Sequence, residues 1–454
     1  MRCQTITGFW VLGLLTLVMQ AEVDANVTHA DVNHADVNHA DVSKVSLQRR
    51  EQSVQLGPRP SYLVEKMERG KLKRELKQCL KRQSFRRSDF SISHRGAPMQ
   101  FPEHTQESYE AAHRMGAGIQ ECDVTFTKDG ELVCRHAQCD LHTTTDVVAR
   151  EDLRHQCKVP PEFDAQGRLT NAAAITCCAS DFTLEQFQSL KGKMDAANTV
   201  ATTVAGYLGG TADYRTDLYA TGGTLLSHKA SIALFERMGV KFTPELKEGN
   251  EEDIIAIFGS QENYALKMID EYWEAGIHPD RVFAQSFNLD DVLTWIKKRP
   301  RYGEQAVFLD GGPIPRPDPG PFLKNLTDRG VKIVAPPMPM LLRVNQQGEI
   351  EPSQYAEEAK AHGLKIITWT TERSGRIVED VLRGGGTFYY QTILDALTND
   401  GDILRTIDVL AQKVGVLGIF SDWPATTTFY ANCKNLGIHH THSRPWRQTE
   451  FLNY

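Results

Sequence analysis

Seven side chains in this sequence have the types and spacing for chemistry. His94 and Arg95 adjoin, Glu121 and Asp123 stand two apart, His136 follows, and Glu245 and Lys247 are again two apart. Residues i and i+2 of a strand point the same way. Two carboxylates held side by side repel unless a cation or a proton lies between them. Glu121, Asp123 and Glu245 make an all-oxygen, three-carboxylate set, which hard cations such as Ca²⁺ or Mg²⁺ prefer. Zinc more often recruits His or Cys. Arg95 and Lys247 add two fixed positive charges, and two histidines can move protons. The combination suits a phosphorylated substrate, with cations taking the phosphate charge. An imidazole pair in opposite protonation states near neutrality predicts a bell-shaped pH–rate profile. Singly, these pairs are weak signals, since Glu-x-Asp is commonly a solvated face and Glu-x-Lys a surface ion pair. Their weight comes from joint placement.

That placement depends on strands. Short runs rich in β-branched and other apolar residues recur at 91–96, 119–126, 241–247, 282–287, 305–310, 331–335, 365–370 and 417–422. Helical stretches are expected at 105–116, 251–276, 289–299, 353–362 and 403–413. Alternation of strand and helix argues for a parallel sheet, and eight repeats for an α/β fold of the (β/α)₈ TIM-barrel type. Active sites on such barrels lie at the C-terminal strand ends. The candidate residues fall at the ends of strands one, two and three. A TKDG turn after strand two would carry His136 back over the barrel mouth. About 100 residues separate His136 from strand three, too long for a simple loop. A large insertion at about 138–240 is expected there, able to shape substrate access.

The chain has 454 residues, 41% apolar and 24% charged, with a net charge of -7. These values exclude wholesale disorder and general nucleic-acid binding. The average hides a basic stretch, residues 44–87, with fourteen Lys/Arg against four Glu. Residues 1–25 read as a secretory signal peptide: Arg2, an apolar run from Gly8 to Val18, and small residues at Ala21 and Ala25. The run is too short to span a bilayer. Secreted or periplasmic localisation follows, without stable membrane insertion. Residues 26–60 form a linker with an HADVN repeat, too polar to bury a core. Residues 61–88 form a basic helical segment, with Leu72, Leu76 and Leu80 spaced to pack on the main domain. That domain spans 89–435, and 436–454 is a C-terminal tail. After removal of Cys3 with the signal, eight cysteines remain. In an oxidising compartment they imply disulfides of undetermined connectivity. The cluster from 134 to 178 is expected to staple one long loop.

The runs HRGAPMQFPEHTQESYEAAHRMGAGIQECDVTFTKDGELVCRH (94–136), FTPELK (242–247), ITWTTERSG (367–375) and GIFSDWPATTTFYANC (418–433) resemble the glycerophosphodiester phosphodiesterase family. The long segment after His136 is similar to that of its longer secreted branch. The resemblance implies hydrolysis of a glycerophosphodiester to sn-glycerol 3-phosphate and an alcohol. It implies that His94 and His136 are the catalytic acid/base pair and that Arg95 and Lys247 contact phosphate. Glu121, Asp123 and Glu245 would hold one divalent cation, Ca²⁺ or Mg²⁺. Glu103 matches a carboxylate that could orient the first histidine. Trp369 matches an aromatic that packs on the glycerol moiety. Ala137 stands where much of the family has Asp, so Asp140 or His142 would have to hold His136. The substrate is a small molecule. Alternatives are a sphingomyelinase D-like or lysophospholipase D-like phosphodiesterase on the same barrel, a phosphatidylinositol-type phospholipase, or a non-catalytic glycerophosphodiester-binding module.

Overall fold

Eight parallel strands close on themselves in the computed structural model, which describes residues 54–218 and 222–438. They are β1 (Ser88–Ser93), β2 (Ala117–Phe126), β3 (Lys241–Leu246), β4 (Gln285–Ser286), β5 (Val307–Leu309), β6 (Ile333–Ala335), β7 (Lys365–Thr368) and β8 (Gly418–Ser421). Each pairs with the next, and β8 pairs with β1. The eight expected strands are these eight, and the architecture is a (β/α)₈ barrel. Ile92, Ile119, Val307, Leu309, Ile333 and Phe420 fill the interior. Bulky inward side chains make such a barrel a packed core rather than a pore. A larger apolar layer, including Phe242, Trp295, Leu323 and Ile407, joins the strands to the surrounding helices.

The helices begin and end where the sequence supplies capping chemistry. Thr105, Ser227, Asn250, Ser260 and Ser353 each accept a backbone N–H at a helix start, satisfying donors that have no partner inside the helix. Two expected helices are interrupted. The stretch 251–276 is Glu251–Phe258 followed by Gln261–Glu274, divided by Gly259 at φ +81° and by the Ser260 cap. The basic helical segment expected at 61–88 is likewise two helices, Arg59–Lys66 and Lys71–Cys79, with Gly70 between them. Leu76 is buried, and Leu72 and Leu80 pack half-buried against the main core. The hydrophobic face of this basic segment is therefore spent on the barrel. Arg59 lies 4.5 Å over the Trp423 ring and donates to Thr426 Oγ1 at 3.0 Å.

After β2 the TKDG turn reverses the chain, and Leu132–Cys134 pairs antiparallel with Val124–Phe126. The chain from there to β3 builds a second apolar core from residues such as Val148, Phe182, Phe187 and Tyr207. All eight cysteines among the described residues pair. Cys139–Cys178 and Cys157–Cys177 staple this segment, as its cysteine density suggested. Cys134 does not join them: it pairs with Cys122 across the hairpin. Cys79–Cys433 ties the basic helices to the last helix, Ala425–Lys434, across 354 residues. The signal segment, the repeat and the tail beyond 438 lie outside the described residues.

The Cys79–Cys433 bridge closes a long loop, and loss of such a bridge costs about 2–4 kcal/mol. A Cys79→Ser/Cys433→Ser variant is expected to melt earlier. Limited trypsin digestion should cut it first between residues 66 and 87, before the barrel. Equal trypsin resistance of variant and parent would show that the helix contacts alone hold the segment.

Candidate active site

The strand register dictates where the carboxylates meet. Asp123 of β2 pairs with Glu245 of β3, and Glu245 with Gln285 of β4. Glu121 and Asp123 share one side of β2. Their ligand oxygens and that of Glu245 lie within 4.8 Å of one another, all three residues buried. Glu121 accepts from the Arg95 backbone N–H at 2.9 Å and from Gln285 Nε2 at 3.0 Å. Asp123 Oδ2 meets His104 Nε2 at 2.8 Å and Arg95 Nε at 3.5 Å. Lys247 bonds Glu245 directly. Asp123 Oδ1 is buried and has no hydrogen-bond partner.

Burial together with Asp123 and Glu245 pushes the Glu121 carboxyl well above its usual range. Burial lifts Glu245 to about 7 against the opposition of Lys247. Asp123 goes the other way: His104, Lys247 and Arg95 outweigh its burial and hold it well below. Three buried carboxyls with one orphaned oxygen fit a hard divalent cation. All donors are oxygen, and the charge they must shed otherwise appears as protons.

The two histidines flank this set. His94 follows β1, and its Nδ1 lies 3.1 Å from Asp422 Oδ1. Asp422 stands just beyond β8. Its Oδ2 accepts from Thr370 Oγ1 at 2.9 Å, and its backbone N–H donates to buried Glu372 at 3.0 Å. Burial opposes ionisation of Asp422, but Arg373 and His94 hold it well below the usual carboxylate range. Asp422 is thus an acceptor, Nδ1 carries the hydrogen, and Nε2 is the basic atom of the neutral ring. Burial lowers His94 to about 4, with Arg95 and Arg373 adding to the effect and Asp422 opposing it. His136 is pushed well below its ordinary value by burial, then by Arg95 and Lys247. In the free site burial thus favours the neutral form of both rings, so the acid of the pair needs a bound negative charge to hold its proton.

His136 is delivered by the hairpin. The Arg135 backbone N–H donates to Asp123 O at 2.8 Å, and the buried Arg135 guanidinium donates to Glu103 O at 2.6 Å. Neither residue named to replace the absent Asp after His136 is spent on that ring. Asp140 accepts from Ala137 N at 3.1 Å, and His142 Nδ1 accepts from Cys177 N at 3.3 Å.

Glu103 requires a correction. It does not orient His94, a task that falls to Asp422. Its carboxylate lies 3.1 Å from Arg95 Nη1 and 3.3 Å from Arg373 Nη2, behind Arg95 rather than on the cavity wall. Both Arg95 and His104 have positive φ, 60° and 56°, a region disfavoured for non-glycine residues and concentrated at functional sites.

A cavity of about 230 Å³ joins these groups at the C-terminal ends of the strands. His94, Arg95, Glu121, His136, Glu245 and Lys247 line it together with Phe287, Leu309, Trp369, Tyr389 and Phe420. Trp369 is fixed by its Nε1 donating to Ala335 O at 2.9 Å and by Phe287 and Tyr389 at 6.0 and 5.9 Å between ring centroids. Sequence reasoning missed Asp422, Gln285, His104 and Arg373. The signal for the first two was available, since both fall in or at the end of an expected strand.

Comparison with known proteins gives the same direction. The profile of the glycerophosphoryl diester phosphodiesterase family matches residues 94–426. An Arthroderma benhamiae protein named "Extracellular protein" is 48% identical over 253 residues, 54% of this chain and all of that one. The Arabidopsis thaliana glycerophosphodiester phosphodiesterase GDPD6 is 30% identical over 105 residues, 23% of this chain and 26% of that one. Among solved structures, a Silicibacter pomeroyi protein assigned to the same phosphodiesterase class superposes with a TM-score of 0.50. It is 18% identical, over 80% of this chain and 98% of that one, and shares the fold. A family profile that runs from the first histidine past Asp422, across a barrel with this site at its mouth, places the chain in the glycerophosphoryl diester phosphodiesterase family of phosphoric diester hydrolases.

Proposed function

We propose that the enzyme hydrolyses glycerophosphodiesters to glycerol 3-phosphate and an alcohol, with a divalent cation at Glu121, Asp123 and Glu245 and proton transfer by His94 and His136. The observation that carries this reading is the convergence of two histidines, Arg95, Lys247, Glu121 and Glu245 on one cavity, with Asp123 completing the three-carboxylate cluster beside it. A bound cation would supply Lewis-acid charge to a phosphate oxygen. Arg95 and Lys247 offset the remaining phosphoryl charge, as oriented cations do in a water-poor site. His94, with Nδ1 committed to Asp422, takes the nucleophile's proton at Nε2. His136, on the hairpin, takes up a proton as the anionic phosphodiester binds beside it and gives that proton to the leaving oxygen. Trp369 packs on the carbon face of the glycerol.

Export belongs to the same proposal. Residues 1–25 act as a signal peptide, and the mature chain works outside the cytoplasm. Four disulfides and the extracellular relative support this, since disulfides persist in oxidising compartments. Among the described residues no helix is long and apolar enough to cross a membrane. The wider domain division, with a linker at 26–60, the large insertion at about 138–240 and a tail at 436–454, is proposed alongside it.

Purified mature protein is expected to release glycerol 3-phosphate from glycerophosphocholine, to stop with chelator, and to recover with Ca²⁺ or Mg²⁺ added alone. Release that persists through exhaustive chelation counts against the cation. His94→Ala and His136→Ala should each lower kcat about 10²–10⁴-fold, and near-parental turnover by the double variant would end the assignment. Because the Asp422 charge raises the proton affinity of His94, Asp422→Asn should weaken the base and cut kcat at least about tenfold with KM little changed. A variant altered in KM alone would move Asp422 from His94 to substrate binding.

A further inference from the structure

The chain between β2 and β3 comes back to the barrel mouth at residues 193–218, and one residue of it, Asp195, reaches the network that holds His94. Arg373 is the link. Its Nε and Nη2 lie 3.1 and 3.0 Å from Asp422 Oδ1, and Nη2 lies 3.3 Å from Glu103. Its remaining nitrogen, Nη1, faces Asp195 Oδ2 at 3.8 Å, an ion pair rather than a hydrogen bond. The other oxygen of Asp195 pairs with Arg215, which donates to Pro98 O at 2.9 Å.

This segment is built to aim that carboxylate. Ala196, next in sequence, has φ +87°, a conformation that an alanine keeps only where its surroundings impose it. Lys193 supports the turn by donating to Thr143 O at 2.9 Å and to Ala196 O at 2.7 Å. The 211–218 stretch is pinned beside it: Thr216 N donates to Met99 O and Leu218 N to Gln100 O, both at 3.0 Å.

The electrostatics give Asp195 a task. Arg373 carries one charge shared among three carboxylates. Asp422 must keep enough of its own charge to accept from His94 Nδ1. Without Asp195, Arg373 presses its whole charge on Asp422 and Glu103, and Arg215 loses the carboxylate between it and Arg373. We propose that Asp195 is a positioning residue for the hydrolysis: by balancing Arg373 on the side away from Asp422, it keeps the Asp422–His94 hydrogen bond in its working geometry. The long segment would then be part of the catalytic assembly and not only a wall around it. This rests on the phosphodiesterase reading above.

The test uses the full mature chain. Asp195→Asn should lower kcat about 10–100-fold, as loss of an orienting partner does elsewhere, with KM for glycerophosphocholine within about twofold. Asp195→Glu should restore most of the rate. In a double-mutant cycle with Arg373→Gln, the second substitution should add little to the first. A readout that needs no turnover is the low-field Nδ1–H proton resonance of His94, identified by its loss in His94→Ala. It should shift or broaden in Asp195→Asn and return in Asp195→Glu. Parental kcat in Asp195→Asn, a change in KM alone, full additivity with Arg373→Gln, or an unmoved resonance would each overturn the proposal. If the parent releases no glycerol 3-phosphate with any ion, the activity reading fails, while the resonance still decides what Asp195 does.

Discussion

Three carboxylates packed into the mouth of a closed barrel repel one another, and much of the site is arranged around that repulsion. The register of β2 against β3 forces it, by setting Asp123 directly beside Glu245 with Glu121 two residues away. Burial makes it worse, because water cannot screen the charges. Counter-charges therefore come from every neighbouring element. Arg95 arrives from the end of β1, held there in a left-handed conformation. Lys247 arrives from the end of β3, and His104, in the loop before the Gln106–Arg114 helix, adds a hydrogen bond to Asp123. Glu103, Glu121, Asp123, Glu245 and Asp422 stand against Arg95, Lys247 and Arg373. Around Glu121, Asp123 and Glu245 the carboxylates outnumber Arg95 and Lys247, an excess that a divalent cation would offset. Without such an ion the alternative is protonation, which is the meaning of the raised Glu121 and Glu245 carboxyls.

The same logic explains why two buried networks meet at Arg95 and Arg373. One is centred on β2 and β3 and carries the carboxylates. The other, from β1, β7 and β8, holds His94 through Asp422, Thr370 and Glu372. Glu103 lies between them and touches both arginines. A carboxylate placed to separate two guanidinium groups allows both to approach the site. That is why it sits behind Arg95 and not against the histidine.

Much of this was legible in the sequence, for physical reasons. Strands of a barrel buried on both faces read as apolar runs, so all eight were found. Their ends then named His94, Glu121, Asp123, Glu245 and Lys247. The TKDG turn fixed the hairpin, because Gly130 at φ +78° suits a residue without a side chain. Boundaries failed at Gly259, which closes one helix, and at Gly70, which precedes the start of another, although glycine is a readable helix breaker. Contacts between distant segments were out of reach. Nothing local in Pro-Glu-His-Thr says that His104 belongs to Asp123, or that Arg373 reaches residue 195. The cysteine pairing was closed for the same reason, since spacing along the chain does not fix distance in the fold.

One of those pairings bears directly on the chemistry. Cys122 lies between Glu121 and Asp123, and alternation along a strand turns its side chain away from the carboxylates, toward the hairpin. Cys134 is two residues before His136. Their disulfide fastens the strand that presents two carboxylates to the strand that delivers a histidine. The ladder Val124–Cys134, Thr125–Val133, Phe126–Leu132 ends there, so His136 leaves the sheet immediately beyond a covalent tie. His136 has no carboxylate directly after it in the chain, and Asp140 and His142 are engaged elsewhere. Its position must then come from its backbone, through Cys122–Cys134, the Arg135 N–H on Asp123 O and the Arg135 side chain on Glu103 O. Where His94 is aimed by a hydrogen bond to its ring, His136 is aimed by the chain that carries it.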